Sequence, residues 1–77
     1  NPFNPTTTIN FTLDREENVV LKVFNLFGEA VRVLVNDRRT AGNYAVSLDG
    51  SMLPSGVYYY QLTAGGRTSA RKMVLMK

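Results

Sequence analysis

The side chains of this sequence that could support catalysis are carboxylates, lysines, arginines and tyrosines, because its 77 residues include neither histidine nor cysteine. Acid–base catalysis needs a tuned titratable group, and covalent catalysis needs an activated nucleophile. All six acids lie in or beside predicted turns, where acids usually support backbone geometry or solubility. They are Asp14, Glu16, Glu17, Glu29, Asp37 and Asp49. No calcium-loop spacing and no phosphate-binding glycine loop is present. We therefore expect no enzyme, no cofactor and no structural metal.

The positive charges are concentrated in the second half of the chain. The net charge is +3, and Asp49 is the last acid, so residues 50–77 carry four bases with no acid. These bases are Arg67, Arg71, Lys72 and Lys77. Such a basic end could contact an acidic surface or an anionic lipid headgroup. Alternatively, the four charges are solvated and keep a sheet edge soluble.

Three of the four tyrosines are consecutive, in a segment (LPSGVYYYQL, residues 53–62) that combines a turn signal with strand composition. Pro54 presets φ for a turn, and Gly56 can adopt the positive φ that closes it. In a strand, Tyr58 and Tyr60 would share the core face with their hydroxyls at its rim, while Tyr59 would lie on the other face. We expect no nucleic-acid partner.

The hydrophobic pattern predicts an all-β domain: a small antiparallel Ig-like or fibronectin-like β-sandwich of six or seven strands. Residues 1–77 form a single domain, with an extended segment over residues 1–6 because of Pro2 and Pro5. Alternation predicts three runs of inward-facing residues. These are Ile9, Phe11 and Leu13; Val19, Leu21 and Val23; and Tyr44, Val46 and Leu48.

Turn chemistry separates the predicted strands. Residues 14–18 read as a polar turn, residues 25–29 as a tight connection with Gly28 at positive φ, and residues 36–42 as a polar loop. The pairs Asp49-Gly50 and Gly65-Gly66 predict further turns, the second of them in a two-residue hairpin. The strand from residue 30 to 35 breaks alternation, which predicts a β-bulge near Arg32 and Val33.

The last strand, predicted to end near Met76, is apolar at its centre. Val74 and Met76 share one face, and Met73 and Leu75 the other. Natural sheet edges usually carry charge or proline. This strand is therefore either buried between neighbours or offered to a partner for strand addition, including self-association with a second copy of the chain.

Four segments together resemble the type A C-terminal sorting domain of the type IX secretion system, a family found in Bacteroidetes and related bacteria. They are NPFNPTTTI at residues 1–9, VFNLFG at 23–28, LPSGVYYYQL at 53–62 and RKMVLMK at 71–77. The sequence departs from the pattern where the family often has Asp, Leu, Arg and Trp. Those positions are Asn25, Phe27, Glu29 and Leu48.

The resemblance implies a non-catalytic signal at the end of a larger secreted protein, directing that cargo through the periplasm and outer membrane to the cell surface. Its partners would be the outer-membrane translocation machinery, a sortase-like protease and the upstream cargo domain. In this family the signal lies mainly in the last strands. The recognition residues that the resemblance implies are Gly56, Val57, Tyr58, Lys72, Met73, Val74, Leu75 and Lys77. Among them we expect Gly56 and Tyr58 to act through the shape of the domain.

A second hypothesis is a structural or carbohydrate-binding accessory module of a secreted polysaccharide-degrading enzyme. Sugar rings stack on exposed aromatic side chains, and Tyr59 with Phe24 is the candidate pair. Burial of both rings would remove that platform.

Overall fold

The computed structural model of the chain describes residues 6–76, which form six antiparallel β-strands and no helix. The strands are β1 (Thr6–Leu13), β2 (Glu17–Phe24), β3 (Ala30–Arg39), β4 (Gly42–Asp49), β5 (Gly56–Ala64) and β6 (Arg67–Leu75). Within these residues no helix is long and apolar enough to cross a membrane. The all-β prediction and the predicted strand number are confirmed.

The strands form two sheets, as a small Ig-like sandwich requires. One sheet has two strands in the order β1-β4, and the other has four in the order β3-β2-β5-β6. Consecutive strands β1 and β2 therefore lie in different sheets. β5 lies between β2 and β6, as expected for a strand that is apolar on both faces.

The core consists of the inward faces that alternation predicts. Ile9, Phe11 and Leu13 are buried, and so are Val19, Leu21, Val23 and Leu48, while Tyr44 and Val46 are half-buried against them. A first core cluster is formed by Ile9, Phe11, Leu13, Val19, Leu21, Val35 and Ala64. A second core cluster is formed by Val23, Leu48, Leu53, Tyr58, Met73 and Leu75. Leu34 and Tyr60 pack against both clusters.

Two bulges in β3 resolve its ambiguous register. Leu21 pairs with Val35 and Lys22 with Val33, so Leu34 is an extra residue between them. Val31 is likewise extra between the partners of Val23 and Phe24. The two bulges flank the predicted position, and both extra residues pack on the core while Val33 is exposed.

Two predicted connections are wrong because the strands are longer than the composition suggested. β3 continues through residues 36–39, which were expected in a loop, and β2 begins at Glu17 within the predicted polar turn. These polar residues pair along their backbones, Glu17 with Arg39 and Val19 with Asp37. Strand pairing therefore overrides their weak intrinsic β-propensity. The predicted segment over residues 1–6 lies outside the described residues except Thr6, which begins β1.

Candidate recognition surface on the last two strands

β5 and β6 form the predicted hairpin, joined by Gly65 and Gly66. Gly65 has φ 61°, the left-handed conformation that favours glycine. A Cβ added at Gly65 would approach Glu17 Oε1 to 2.5 Å. The same Glu17 carboxylate accepts a 3.0 Å bond from Arg67 Nη2. The glycine therefore serves both the turn and the close approach of Glu17.

The other end of β5 is fixed by its preceding loop. The Tyr58 hydroxyl donates a 2.6 Å hydrogen bond to the Pro54 carbonyl, and the Tyr58 ring is buried in the second core cluster. Gly56 has φ 155°, and a Cβ there would meet nothing within 4 Å. Glycine is thus favoured at position 56 by backbone conformation and not by crowding. Leu53 closes the cluster from the same loop, its N–H donating to the Gly50 carbonyl at 2.9 Å.

Strand alternation divides the predicted recognition residues between two environments. Tyr58, Met73 and Leu75 are buried in the second core cluster. Lys72 and Val74 are exposed on the outer face of the four-stranded sheet, next to the half-buried Val57. Lys77 lies outside the described residues. The buried residues can act only by shaping the surface, whereas Lys72 and Val74 can contact a partner while the domain stays folded.

The outer face carries a row of side chains that crosses three strands. Phe24 pairs with Tyr59 on β5, and Tyr59 pairs with Lys72 on β6. In the next row Val57 pairs with Val74. Tyr59 is 41% exposed and Phe24 half-buried, so the two rings of the candidate sugar platform are neighbours and are not both buried. These two rows combine apolar contact area with the cation Lys72, and Lys22 lies on the same face in the adjacent row.

β6 is an edge strand. In the sheet order β3-β2-β5-β6 it pairs only with β5, so its other edge has no strand partner among residues 6–76. Its burial pattern is exposed from Arg67 through Lys72, and only Met73 and Leu75 are buried. Val74, 54% exposed, is an apolar residue on this edge strand. The edge can accept a further strand through its backbone groups.

Sequence reasoning missed a set of exposed apolar residues at one end of the sandwich. This apolar end consists of the β2–β3 turn, the β4–β5 loop and the last residues of β6. Its exposed large side chains are Leu26 (63%), Phe27 (87%), Met52 (83%), Val74 (54%) and Met76 (71%). A groove of about 300 Å³ lies between the β2–β3 turn and the start of β5, and of these five side chains Leu26 and Phe27 line it. The sequence signal was present: Leu26 and Phe27 stand in a turn, where no strand pairing can bury them.

The β2–β3 turn holds Leu26 and Phe27 outward through Asn25. Its Oδ1 accepts hydrogen bonds from the N–H groups of Phe27 (2.9 Å) and Glu29 (3.0 Å), and its Nδ2 donates to Glu29 Oε1 (2.8 Å). Gly28, with φ 81°, completes the turn as predicted. Asn25 thus satisfies the backbone that strand pairing leaves free.

The β4–β5 loop begins with a similar side-chain bond. Asp49 Oδ1 accepts from the Ser51 N–H at 3.0 Å. This hydrogen bond, aided by the Ser51 side chain and by nearby Arg32, lowers the pKa of the Asp49 carboxyl below its usual value. The ionised carboxylate therefore fixes the predicted Asp49-Gly50 turn.

Ion pairs are confined to the opposite, charged end. The four pairs found within residues 6–76 join Arg15 and Arg67 to Glu17, Arg38 to Glu16, and Arg39 to Asp37. All four ion pairs lie at the end of the sandwich where β1, β3 and β5 end and where β2 and β6 begin. The two ends of the sandwich therefore differ sharply in polarity.

The described residues contain no group of three or more acidic, cysteine or histidine side chains placed to hold a metal ion. What the fold does offer is a basic and apolar outer face, an open sheet edge and an apolar end.

The sequence comparison agrees with the segments that carry the resemblance. The profile of the family described as the secretion system C-terminal sorting domain matches residues 1–76. No curated protein and no solved structure matches the chain.

Proposed function

We propose a specific sorting function for this chain, which belongs to the family of secretion system C-terminal sorting domains of the type IX system. The domain directs the protein to which it is joined through the outer membrane to the cell surface. It does so as a folded surface read by the translocation machinery, and it takes no part in bond-breaking chemistry.

The observation that carries this proposal is the division of β6 into an anchoring face and a presenting face. Met73 and Leu75 fix the strand to the core, and this holds Lys72 and Val74 outward on an edge strand. A partner strand added to β6 would gain main-chain hydrogen bonds from the edge and side-chain contacts from the outer face. Gly56 and Tyr58 act indirectly, by setting where β5 begins and so the register of β6.

The partners follow from this role. The outer-membrane machinery contacts β6, the cargo is joined upstream, and a sortase-like protease separates the two at the surface. Self-association through the same edge would compete with the machinery, because one edge accepts one strand at a time. We place the final location of the cargo at the cell surface or in the medium.

A carbohydrate-binding accessory module remains the second candidate because Phe24 and Tyr59 are adjacent on the outer face and Tyr59 is exposed. Their rings could stack on a sugar. A Tyr59→Ala variant tests the module: polysaccharide binding by the unaltered domain that is lost in this variant would support it, and no binding by the unaltered domain would rule it out.

The test of sorting is an export assay in a host with a type IX system. The chain is fused to the C-terminus of a reporter that enters the periplasm. Deleting residues 72–77 would be a poor comparison, because it removes Met73 and Leu75 from the core. We use instead Lys72→Gln with Val74→Glu, which changes only outward residues. We expect the fusion to reach the surface and this double variant to accumulate in the periplasm.

The matched control is Thr68→Glu with Ala70→Glu. These residues are exposed on the same face of the same strand but nearer the charged end, and they add the same two units of negative charge. Periplasmic retention of the unaltered fusion, with the domain folded, would overturn the sorting function. If the Lys72 and Val74 variant is exported as well as the control, the outer face of β6 is not part of the sorting signal.

A further inference from the structure

The apolar end exposes several large hydrophobic side chains to solvent. Leu26, Phe27 and Met52 stand in loops and Met76 follows β6, all more than 60% exposed. Backbone pairing brings them together: Gly56 pairs with Leu75, so Met76 lies beside the β4–β5 loop. The groove between that loop and the β2–β3 turn is lined by Leu26 and Phe27 on one side. Exposed apolar groups gathered at one site mark an interaction surface.

The charges near this end complement a negative surface. Arg71 and Lys72 form no ion pair within residues 6–76, whereas the arginines of the charged end are paired. Two carboxylates, Glu29 and Asp49, also lie near this end and keep their negative charge, because their hydrogen-bond partners Asn25 and Ser51 are neutral. Three basic side chains, Arg32, Arg71 and Lys72, outnumber these two carboxylates, so the charged groups near the apolar end carry a net positive charge.

The distance along β6 from the cations to the exposed apolar side chains matches the distance from the phosphates to the hydrocarbon of a lipid surface. At about 3.3 Å per residue along a strand, Met76 stands roughly 13 Å and Val74 roughly 7 Å beyond Lys72. Apolar groups of interfacial proteins enter about 5–10 Å below the headgroup boundary. With the apolar side chains of this end at that depth, Arg71 and Lys72 reach the level of the phosphates. A flat protein partner would not require this order of layers.

We propose that the apolar end docks shallowly on an anionic lipid surface, with Arg71 and Lys72 contacting the lipid phosphates. The contact orients the sandwich with its strands upright and its charged end in water. Docking of this kind is a property of the domain alone and does not depend on the export machinery. It therefore stands or falls separately from the sorting function.

A second copy of the chain is the weaker occupant. The two short dimensions of the molecule, 27 and 16 Å, bound an end face of roughly 430 Å². A standard protein interface takes about 800 Å² from each partner. Two copies meeting end to end would also bring their unpaired cations together, which costs free energy.

The test exploits the absence of tryptophan from the chain. Phe27→Trp places a single fluorophore at the apolar end, and Ala41→Trp places one in the exposed β3–β4 turn at the charged end. Each variant is mixed with vesicles of phosphatidylcholine and phosphatidylglycerol that contain brominated lipid. We expect a blue shift and bromine quenching for Trp at position 27 and neither change at position 41.

Two further variants separate the apolar and the electrostatic contributions. Phe27→Ser with Met52→Ser should weaken partitioning onto the vesicles ~10-fold or more, because two exposed apolar groups no longer enter the lipid. Arg71→Gln with Lys72→Gln should weaken it on anionic vesicles and leave the weak binding to pure phosphatidylcholine unchanged. Both pairs are outside the core, and circular dichroism checks that each variant is folded.

Three results would overturn the proposal. The first is no quenching at position 27 in a folded protein, and the second is equal quenching at positions 27 and 41. The third is a blue shift at position 27 without vesicles that grows with protein concentration, because it would make a second copy the occupant.

Discussion

The hydroxyl of Tyr58 reaches back four residues to the carbonyl of Pro54, at 2.6 Å, and so ties the β4–β5 loop to the strand it introduces. Because Tyr58 is buried, this bond satisfies a hydroxyl group that folding removes from water. The pair sets the start of β5, and through β5 the position of the edge strand β6. Loop geometry and the candidate recognition surface are thereby coupled.

Tyr58→Phe should lower the free energy of unfolding by about 1 kcal/mol, because the Pro54 carbonyl loses its partner while the ring still fills the core. Urea unfolding followed by circular dichroism measures the change. Tyr59→Phe is the matched control, since Tyr59 lies on the exposed face and should shift stability by less than about 0.5 kcal/mol. Equal effects of the two variants would contradict the role assigned to the bond.

Gly65→Ala should destabilise the domain by about 1–2 kcal/mol because an L residue is strained at positive φ. The new methyl group would also push Glu17 away from Arg67. Gly66→Ala is the control within the same turn: Gly66 has no positive φ, and its Cβ would meet nothing within 4 Å. Thermal unfolding compares the pair. A Gly66 variant as unstable as the Gly65 variant would refute this account of the turn.

Leu75→Ala and Val74→Thr should differ strongly although the residues are adjacent. Leu75 is 2% exposed in the second core cluster, and its truncation should cost about 2–5 kcal/mol. Val74 faces outward, and a threonine of similar shape should change stability by less than about 0.5 kcal/mol. Chemical denaturation measures both. Comparable losses would mean that β6 does not present alternating faces.

Acid should reveal the bond between Asp49 and Ser51. The folded-state pKa of Asp49 lies below its ordinary value of 3.8, so the bond's stabilisation is present above pH 3.8 and is lost as the pH falls through the folded pKa. The stability of the native protein should therefore fall relative to Asp49→Asn below pH 3.8. Unfolding at a series of acidic pH values measures the difference.

The control for this pH series is Asp14→Asn, since the Asp14 side chain makes no hydrogen bond or ion pair within residues 6–76. We expect its stability to run parallel to that of the native protein. A parallel curve for Asp49→Asn as well would contradict the contribution of the Ser51 hydrogen bond.

The fold was predictable where side-chain alternation coincides with burial. In β1 and β2 only one orientation of the strand removes the apolar side chains from water. Those side chains are Ile9, Phe11 and Leu13 in β1, and Val19, Leu21 and Val23 in β2. Prediction failed over residues 36–39, where backbone pairing with β2 holds polar residues in a strand. Local composition does not show which strand lies alongside.

The candidate site was predicted less well for a related reason. The residues implied for recognition were a continuous run, but a strand sends alternate side chains to opposite faces, and Met73 and Leu75 became core. The exposure of Phe27 and Met52 depends on turns and loops that come together only in the tertiary structure. Their types were visible in the sequence, and their common location was not.

The division of the core into two clusters has a consequence for amide hydrogen exchange. β6 contributes Met73 and Leu75 to the second cluster and nothing to the first, while β2 contributes to both. Detaching β6 therefore leaves the first cluster intact and costs less than global unfolding. Amides of β5 bonded to β6 should exchange through this partial opening, ahead of those bonded to β2. Each such opening turns β5 briefly into the edge of the sheet, with its own backbone free to receive a foreign strand.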